Sequence, residues 1–281
     1  MINDNVTLCG NLAYGPHERN RLDLYLPAAP QSRDGLILII HGGGWTAGDR
    51  TIHIPDAEYW SARGYICAIM DYRYVSEIYT VFDELDDITA ALSTVKATCA
   101  ASGYALTRML LSGGSAGAHL ALLYAYTRAA DAPLRPAAVF CDCPPVDCTS
   151  PDFLIGLNGE FENWKYGVLS ACCGTAVTRE TLPSAPVQAA LRAISPLTYI
   201  AHAVPTAICH GVKDELIPYA HVLRFLDALR AQGVRCDLVT YPQSGHALDR
   251  DPDAAAQAMA LMQRWLADFL ASDCTTALSN T

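Results

Sequence analysis

The chain has 281 residues, of which 51% are hydrophobic and 17% charged. Disordered proteins carry more charge and less apolar content, so that class is excluded, and the length suits one large α/β domain. A formal charge of −10 also excludes a nucleic-acid partner, because phosphate binding needs clustered Lys and Arg.

In chain order, residues 1–30 read as an antiparallel entry, with Leu22, Leu24 and Leu26 alternating with Asp23 and Tyr25. Short apolar runs then recur at 36–40, 65–70, 108–112, 137–141, 206–210 and 236–241. Their nearly continuous apolar character predicts strands covered on both faces, as in a parallel sheet. The run at 36–40 stops at His41, far short of the ~20 residues a membrane span requires, so no span is expected. Helices are predicted between the strands. Residues 82–101 place Leu85, Ile88, Ala91, Leu92 and Val95 on one face, and residues 219–232 do the same with Val222, Leu226 and Leu229. The last helix is expected to start with Asp251 as N-cap and Pro252 at N1, burying Met259, Met262, Leu266 and Phe269. The alternation implies an α/β sandwich over the whole of residues 1–281. One stretch breaks it. Residues 148–200 are rich in Pro, Gly and aromatics and are read as a cap insertion over a site. The polar tail, 272–281, is expected to fray.

The first residues, Met1-Ile2-Asn3-Asp4-Asn5, have neither a basic nor an apolar region, so no secretory signal is expected. Eleven cysteines is an odd count, spread over the chain, and reads as reduced, mostly buried thiols in a cytoplasmic protein. Cys141, Cys143, Cys148 and the pair Cys172-Cys173 form no Cys-x-x-Cys, so no metal is expected.

Three segments carry chemistry. Gly113-Gly114-Ser115-Ala116-Gly117 lies between a strand and a helix, the setting of a nucleophile elbow. Side chains two before and two after the serine would collide in so sharp a turn, which accounts for Gly113 and Gly117. His41-Gly42-Gly43-Gly44-Trp45 follows the strand at 36–40. It predicts an oxyanion hole from the N–H groups of Gly43, Gly44 and Ala116, with His41 bracing the loop. His246 follows the strand at 236–241 and Asp214 follows that at 206–210, both strand-end loops where open α/β sheets place function. The order Ser115, Asp214, His246 suits a catalytic triad. His210 is the rival base, and Asp142, Asp147 and Glu215 are the fallback acids. Trp45, Trp164 and Tyr166 are the expected substrate-binding aromatics.

From about Asn20 to Leu270 these motifs resemble the α/β-hydrolase superfamily. The pairing of the His41 and Ser115 motifs resembles its hormone-sensitive-lipase-like carboxylesterases. Asp71-Tyr72-Arg73-Tyr74 and Ser195-Pro196-Leu197 are similar to that branch and to acetyl-xylan and feruloyl esterases. Two positions depart from the branch: Gly114 stands where it usually has Asp, and Tyr74 where it more often has Leu. Residues Ser115 to Leu120 also resemble kynurenine formamidases. The resemblance implies a mostly parallel sheet and a serine esterase acting on short-chain acyl esters or acetylated or feruloylated saccharides. No metal or organic cofactor is implied. An arylformamidase or a small peptidase on the same triad stays open, as does a degenerate hydrolase that only binds a small ligand, and a homodimer stays open as the assembly.

Overall fold

In β3 (Gly35–Ile40) the side chains of Leu36, Leu38 and Ile40 point into one core and those of Ile37 and Ile39 into the other, and all five are buried. The strand is therefore covered on both faces, and its neighbours repeat the pattern. A computed structural model of the chain describes residues 5–32, 34–154 and 159–270; the tail expected to fray, 272–281, lies outside them.

The strands β1 (Val6–Ala13), β2 (Arg21–Pro27), β3, β4 (Ile66–Met70), β5 (Arg108–Gly114), β6 (Arg135–Asp142), β7 (Thr206–Gly211) and β8 (Cys236–Tyr241) form one sheet. Their order is β1-β2-β4-β3-β5-β6-β7-β8, antiparallel at β1-β2 and β2-β4 and parallel from β4 onward. The order reverses around β3, so the loops after β3 and β5 flank a topological switch point, where open sheets form their crevice.

Helices α1 (Ile54–Ser61) and α8 (Pro252–Leu270) cover one face; α2 (Val81–Ala101), α3 (Ala116–Thr127) and α7 (Tyr219–Ala231) cover the other. Between β6 and β7 lie α4 (Pro151–Leu154), α5 (Gly159–Cys173) and α6 (Ala185–Ala193), then a 3-10 segment, Pro196–His202. Among the described residues no helix is long and apolar enough to cross a membrane. The ten described cysteines are all free, and seven of them are buried.

Three expectations change. The run at 108–112 continues as a strand through Gly114, pairing Gly113 with Cys141 and Gly114 with Asp142, so the chain turns only at Ser115. The last helix buries Leu261, Met262, Trp265, Leu266 and Leu270, while Met259 is 38% exposed and Phe269 only half-buried. Two apolar stripes fit its sequence, and packing against β5, β6 and β8 selects the one containing Trp265. Asp251 does not cap that helix with its side chain either; the carboxylate is turned to the preceding loop, as described below.

Candidate active site

Ser115 has φ 53° and ψ −118°, a backbone conformation that non-glycine residues rarely adopt. Neighbouring backbone enforces it. A Cβ on Gly117 would lie 2.1 Å from the Ile40 carbonyl oxygen, and one on Gly113 2.5 Å from the same atom. The elbow glycines are thus demanded by the end of β3 as well as by each other. The Ser115 N–H donates to the Asp142 carbonyl at 2.8 Å, and α3 begins at Ala116 with every residue buried from there to Tyr126. Ser115 stands at that helix's N-terminus, where the dipole favours negative charge.

The glycine loop after β3 packs over the elbow. A Cβ on Gly42 would sit 2.8 Å from the Gly114 carbonyl oxygen. Gly43 has φ 122° and Gly44 φ 58°, conformations that suit glycine. Among the described residues neither amide N–H has an acceptor. His41 stacks on Tyr72 at 4.2 Å between ring centres, and its Nδ1 hydrogen-bonds the Gly42 carbonyl at 2.7 Å. Burial pulls its pKa down to about 4, so the ring is neutral at pH 7.

The segment Asp71–Tyr74 turns out to be scaffolding for this loop. The Tyr72 hydroxyl donates to the His41 carbonyl at 2.8 Å, and the Tyr74 hydroxyl donates to the Gly48 carbonyl. Asp71 accepts from Arg50 Nη1 at 2.5 Å, and Arg50 also pairs with Asp23 at 3.0 Å. Arg19 lies over the Tyr74 ring and donates to the Gly48 carbonyl at 3.0 Å. Ser195 works similarly on the return from α6: its hydroxyl donates to the Leu191 carbonyl at 2.7 Å and accepts the Cys148 N–H at 2.9 Å.

Asp214 and His246 meet across the loops after β7 and β8, with Asp214 Oδ2 2.8 Å from His246 Nδ1. The other carboxylate oxygen accepts the N–H groups of Leu216 and Ile217, both at 2.8 Å. Burial alone would push the Asp214 carboxyl up, but the His246 bond, the His246 charge and the Ile217 N–H hold it below the usual carboxylate range. With Nδ1 engaged, Nε2 is the ring nitrogen left for chemistry. No hydrogen bond joins it to Ser115 in this structure, and such bonds often tighten only when substrate is bound.

The histidine loop is held from both sides. Asp251 accepts the N–H groups of Gln243 and Ser244 and the Ser244 hydroxyl. Cys143 Sγ lies 3.6 Å from the His246 carbonyl. Ligand atoms of Cys143, His210 and Asp214 also lie within 4.8 Å of one another. Burial and the neighbouring Asp214 push the Cys143 thiol up, so it stands protonated. His210 Nε2 approaches the Ile217 carbonyl at 2.9 Å and Asp214 at 3.3 Å, so the rival base faces the acid loop.

Ser115 opens onto two cavities. The first, about 40 Å³, is walled mainly by apolar residues, among them Trp45, Phe153, Trp164, Leu169 and Ile217. The second, about 350 Å³, holds His246 with Gly43, His53, Gly114, Asp142 and Leu248. Trp45 and Trp164 line the small cavity beside the serine, and the Trp45 indole N–H also donates to His119 at 3.1 Å. Tyr166 corrects the sequence reading: it lines neither cavity, and its hydroxyl donates to Glu162 at 3.0 Å. Helical geometry explains this, because residues two apart point to nearly opposite sides, and Trp164 faces the serine.

Lys165 was not foreseen. It lies in the first cavity's wall, with Nζ donating to the Phe153 carbonyl at 2.6 Å and the Leu216 carbonyl at 2.7 Å. Burial pulls its pKa down to about 8. A charged residue amid an apolar stripe was the available signal.

Comparison with known proteins finds esterases among the similar chains. Residues 22–151 match the BD-FAE family and residues 175–273 the prolyl oligopeptidase family. The chain is 30% identical to esterase LipQ of Mycobacterium tuberculosis over 268 residues, covering 92% of this chain and 61% of LipQ. It is 27% identical to a probable isoprenylcysteine alpha-carbonyl methylesterase of Oryza sativa subsp. japonica, covering 84% of this chain and 57% of that protein. The chain thus spans less than two thirds of these relatives. Among solved structures, the native esterase Est2 of Thermogutta terrifontis superposes with a TM-score of 0.70 at 26% identity, covering 96% and 95% of the two chains. A truncated carbohydrate esterase from gut microbiota has a TM-score of 0.78 at 18% identity, covering 96% and 99%, a likeness of fold.

Proposed function

We propose that the chain, which has the α/β-hydrolase fold, belongs to the carboxylesterase branch of that superfamily and is a serine hydrolase of short-chain carboxylic esters. The observation that carries this is the 2.8 Å bond from His246 Nδ1 to a buried Asp214, at the mouth of a cavity shared with a strained Ser115. His246 Nε2 takes the Ser115 proton, and Oγ attacks the acyl carbonyl. The Gly43, Gly44 and Ala116 N–H groups receive the oxyanion, each such donor contributing on the order of a hundredfold or more in rate. His246 then protonates the leaving alcohol, and water repeats the sequence to release the acid. Asp214 stays ionised and steadies the imidazolium.

The proton donor fixes the direction of binding. The leaving oxygen must lie beside His246, so the alcohol occupies the larger cavity and the acyl chain the small apolar one. A cleft of about 40 Å³ suits short acyl groups. Residues 148–200 act as a cap, since α5 supplies Trp164, Lys165, Val168 and Leu169 to that cleft. The free, mostly buried cysteines suit a cytoplasmic enzyme.

The test is turnover of p-nitrophenyl acetate by wild type and Ser115→Ala. An acyl-enzyme burst in wild type and its loss in the variant are expected, and equal rates in the two would overturn the reading. N-formylkynurenine and a peptide p-nitroanilide, run beside it, decide between ester and amide chemistry on the same residues.

A further inference from the structure

The cavity at His246 has a neighbour. It shares His53 and Asp142 with another of about 250 Å³, set between the sheet and helices α1 and α8. Asp142 closes β6, and its carbonyl accepts the Ser115 N–H, so the residue is fixed relative to the nucleophile. Its side chain is exposed, and it lines both of these cavities. Desolvation pushes its carboxyl up to about 6. Among the described residues it has no ion-pair partner; its side chain meets the Cys209 thiol, and an unpaired carboxylate attracts a cation.

The rest of the lining shares that character. No lysine or arginine lines either cavity among the described residues. The basic side chains are His246, committed to Asp214, and His53, whose Nδ1 is 2.8 Å from Asp56. Trp60, Phe140 and Tyr241 supply aromatic surface to the inner chamber, and aromatic faces attract cations. Gly114 leaves room in the outer cavity's wall: a Cβ there would meet nothing within 4 Å.

We infer that the two chambers form a charge-selective subsite for the leaving alcohol, one that favours a cationic, amine-bearing alcohol over a neutral one and rejects an anionic one. This rests on the ester-hydrolase reading, since it takes His246 to mark the alcohol side. Asp142 is the specificity-determining residue, meeting the ammonium group while Ser115 holds the acyl carbon.

Three acetate esters used as probes test it: acetylcholine, its uncharged isostere dimethylbutyl acetate, and acetoxypropionate. The kcat/KM ratio of the cation to its isostere is expected to be roughly tenfold, with the anion below both. The ratio should fall with salt and approach one in Asp142→Asn. Met259→Arg, at an exposed α8 position lining the inner chamber, should lower it without touching the elbow. Wild type that hydrolyses dimethylbutyl acetate with a ratio near one overturns the inference and spares the esterase reading. A high ratio that neither variant lowers also overturns it. If p-nitrophenyl acetate is not turned over at all, the esterase reading itself has failed.

Discussion

Ser115 holds a φ of 53° because the Ile40 carbonyl leaves no room for a side chain on Gly113 or Gly117. The adjacent Gly114 has open space instead, and the contrast is measurable. Gly117→Ala should destabilise the protein by more than about 3 kcal/mol, whereas Gly114→Ala should stay within about 1 kcal/mol, read from urea midpoints. Asp214 holds two sets of partners at once. In sequence it also reads as a helix-capping aspartate ahead of Pro218; the helix starts only at Tyr219, and one oxygen instead accepts the Leu216 and Ile217 N–H groups while the other holds His246. Asp214→Asn keeps an accepting oxygen but loses the charge and the imidazole tautomer it selects. A fall in kcat of about 10³ to 10⁴ with a nearly unchanged melting temperature is expected; a fall below tenfold would remove Asp214 from the mechanism.

At the scale of elements, the histidine loop depends on the helix that follows it. The Asp251 carboxylate gathers Gln243 and Ser244 and so sets the path of the chain into His246. Asp251→Ala is expected to lower kcat about tenfold and to cost about 1 kcal/mol, because the backbone amides it frees can turn to water. Intact kcat in that variant would show that the loop holds its shape unaided. Periodicity placed the strands and most helices because each buries a short, dense apolar run. It failed on the phase of α8, where Met259 and Trp265 compete for the buried stripe, and the aromatic content of the cap does not say which side of α5 carries Tyr166. Both depend on what the helix packs against, and local sequence does not contain that.

Across the whole molecule, burial has been spent on neutral histidines. His41, His119 and His221 are all buried, and desolvation pulls each down to about 4. Between roughly pH 6.5 and 4 the unfolded chain therefore binds protons at these rings that the folded chain does not. Stability should be level above about pH 6.5 and fall as pH drops toward 4, by up to about 3 kcal/mol per histidine. Urea unfolding at pH 7.5 and at pH 5 checks this, and equal midpoints would contradict the neutral, buried state.

The amino-acid order by itself determined the strand–helix alternation, the elbow, the glycine loop and the sequence Ser115, Asp214, His246. These rest on sterics within a few residues and on the period of apolar side chains, which are local quantities. Only the tertiary structure decided that Asp71–Tyr74 braces the loop through Tyr72 and Tyr74, that Trp164 rather than Tyr166 faces the serine, and that an acidic chamber opens behind Asp142. Each joins side chains far apart in the chain, and their meeting is set by how the sheet and helices pack. The opening charge of −10 gains a location in the same way: part of it faces the cavity beside His246, where charge can choose among alcohols.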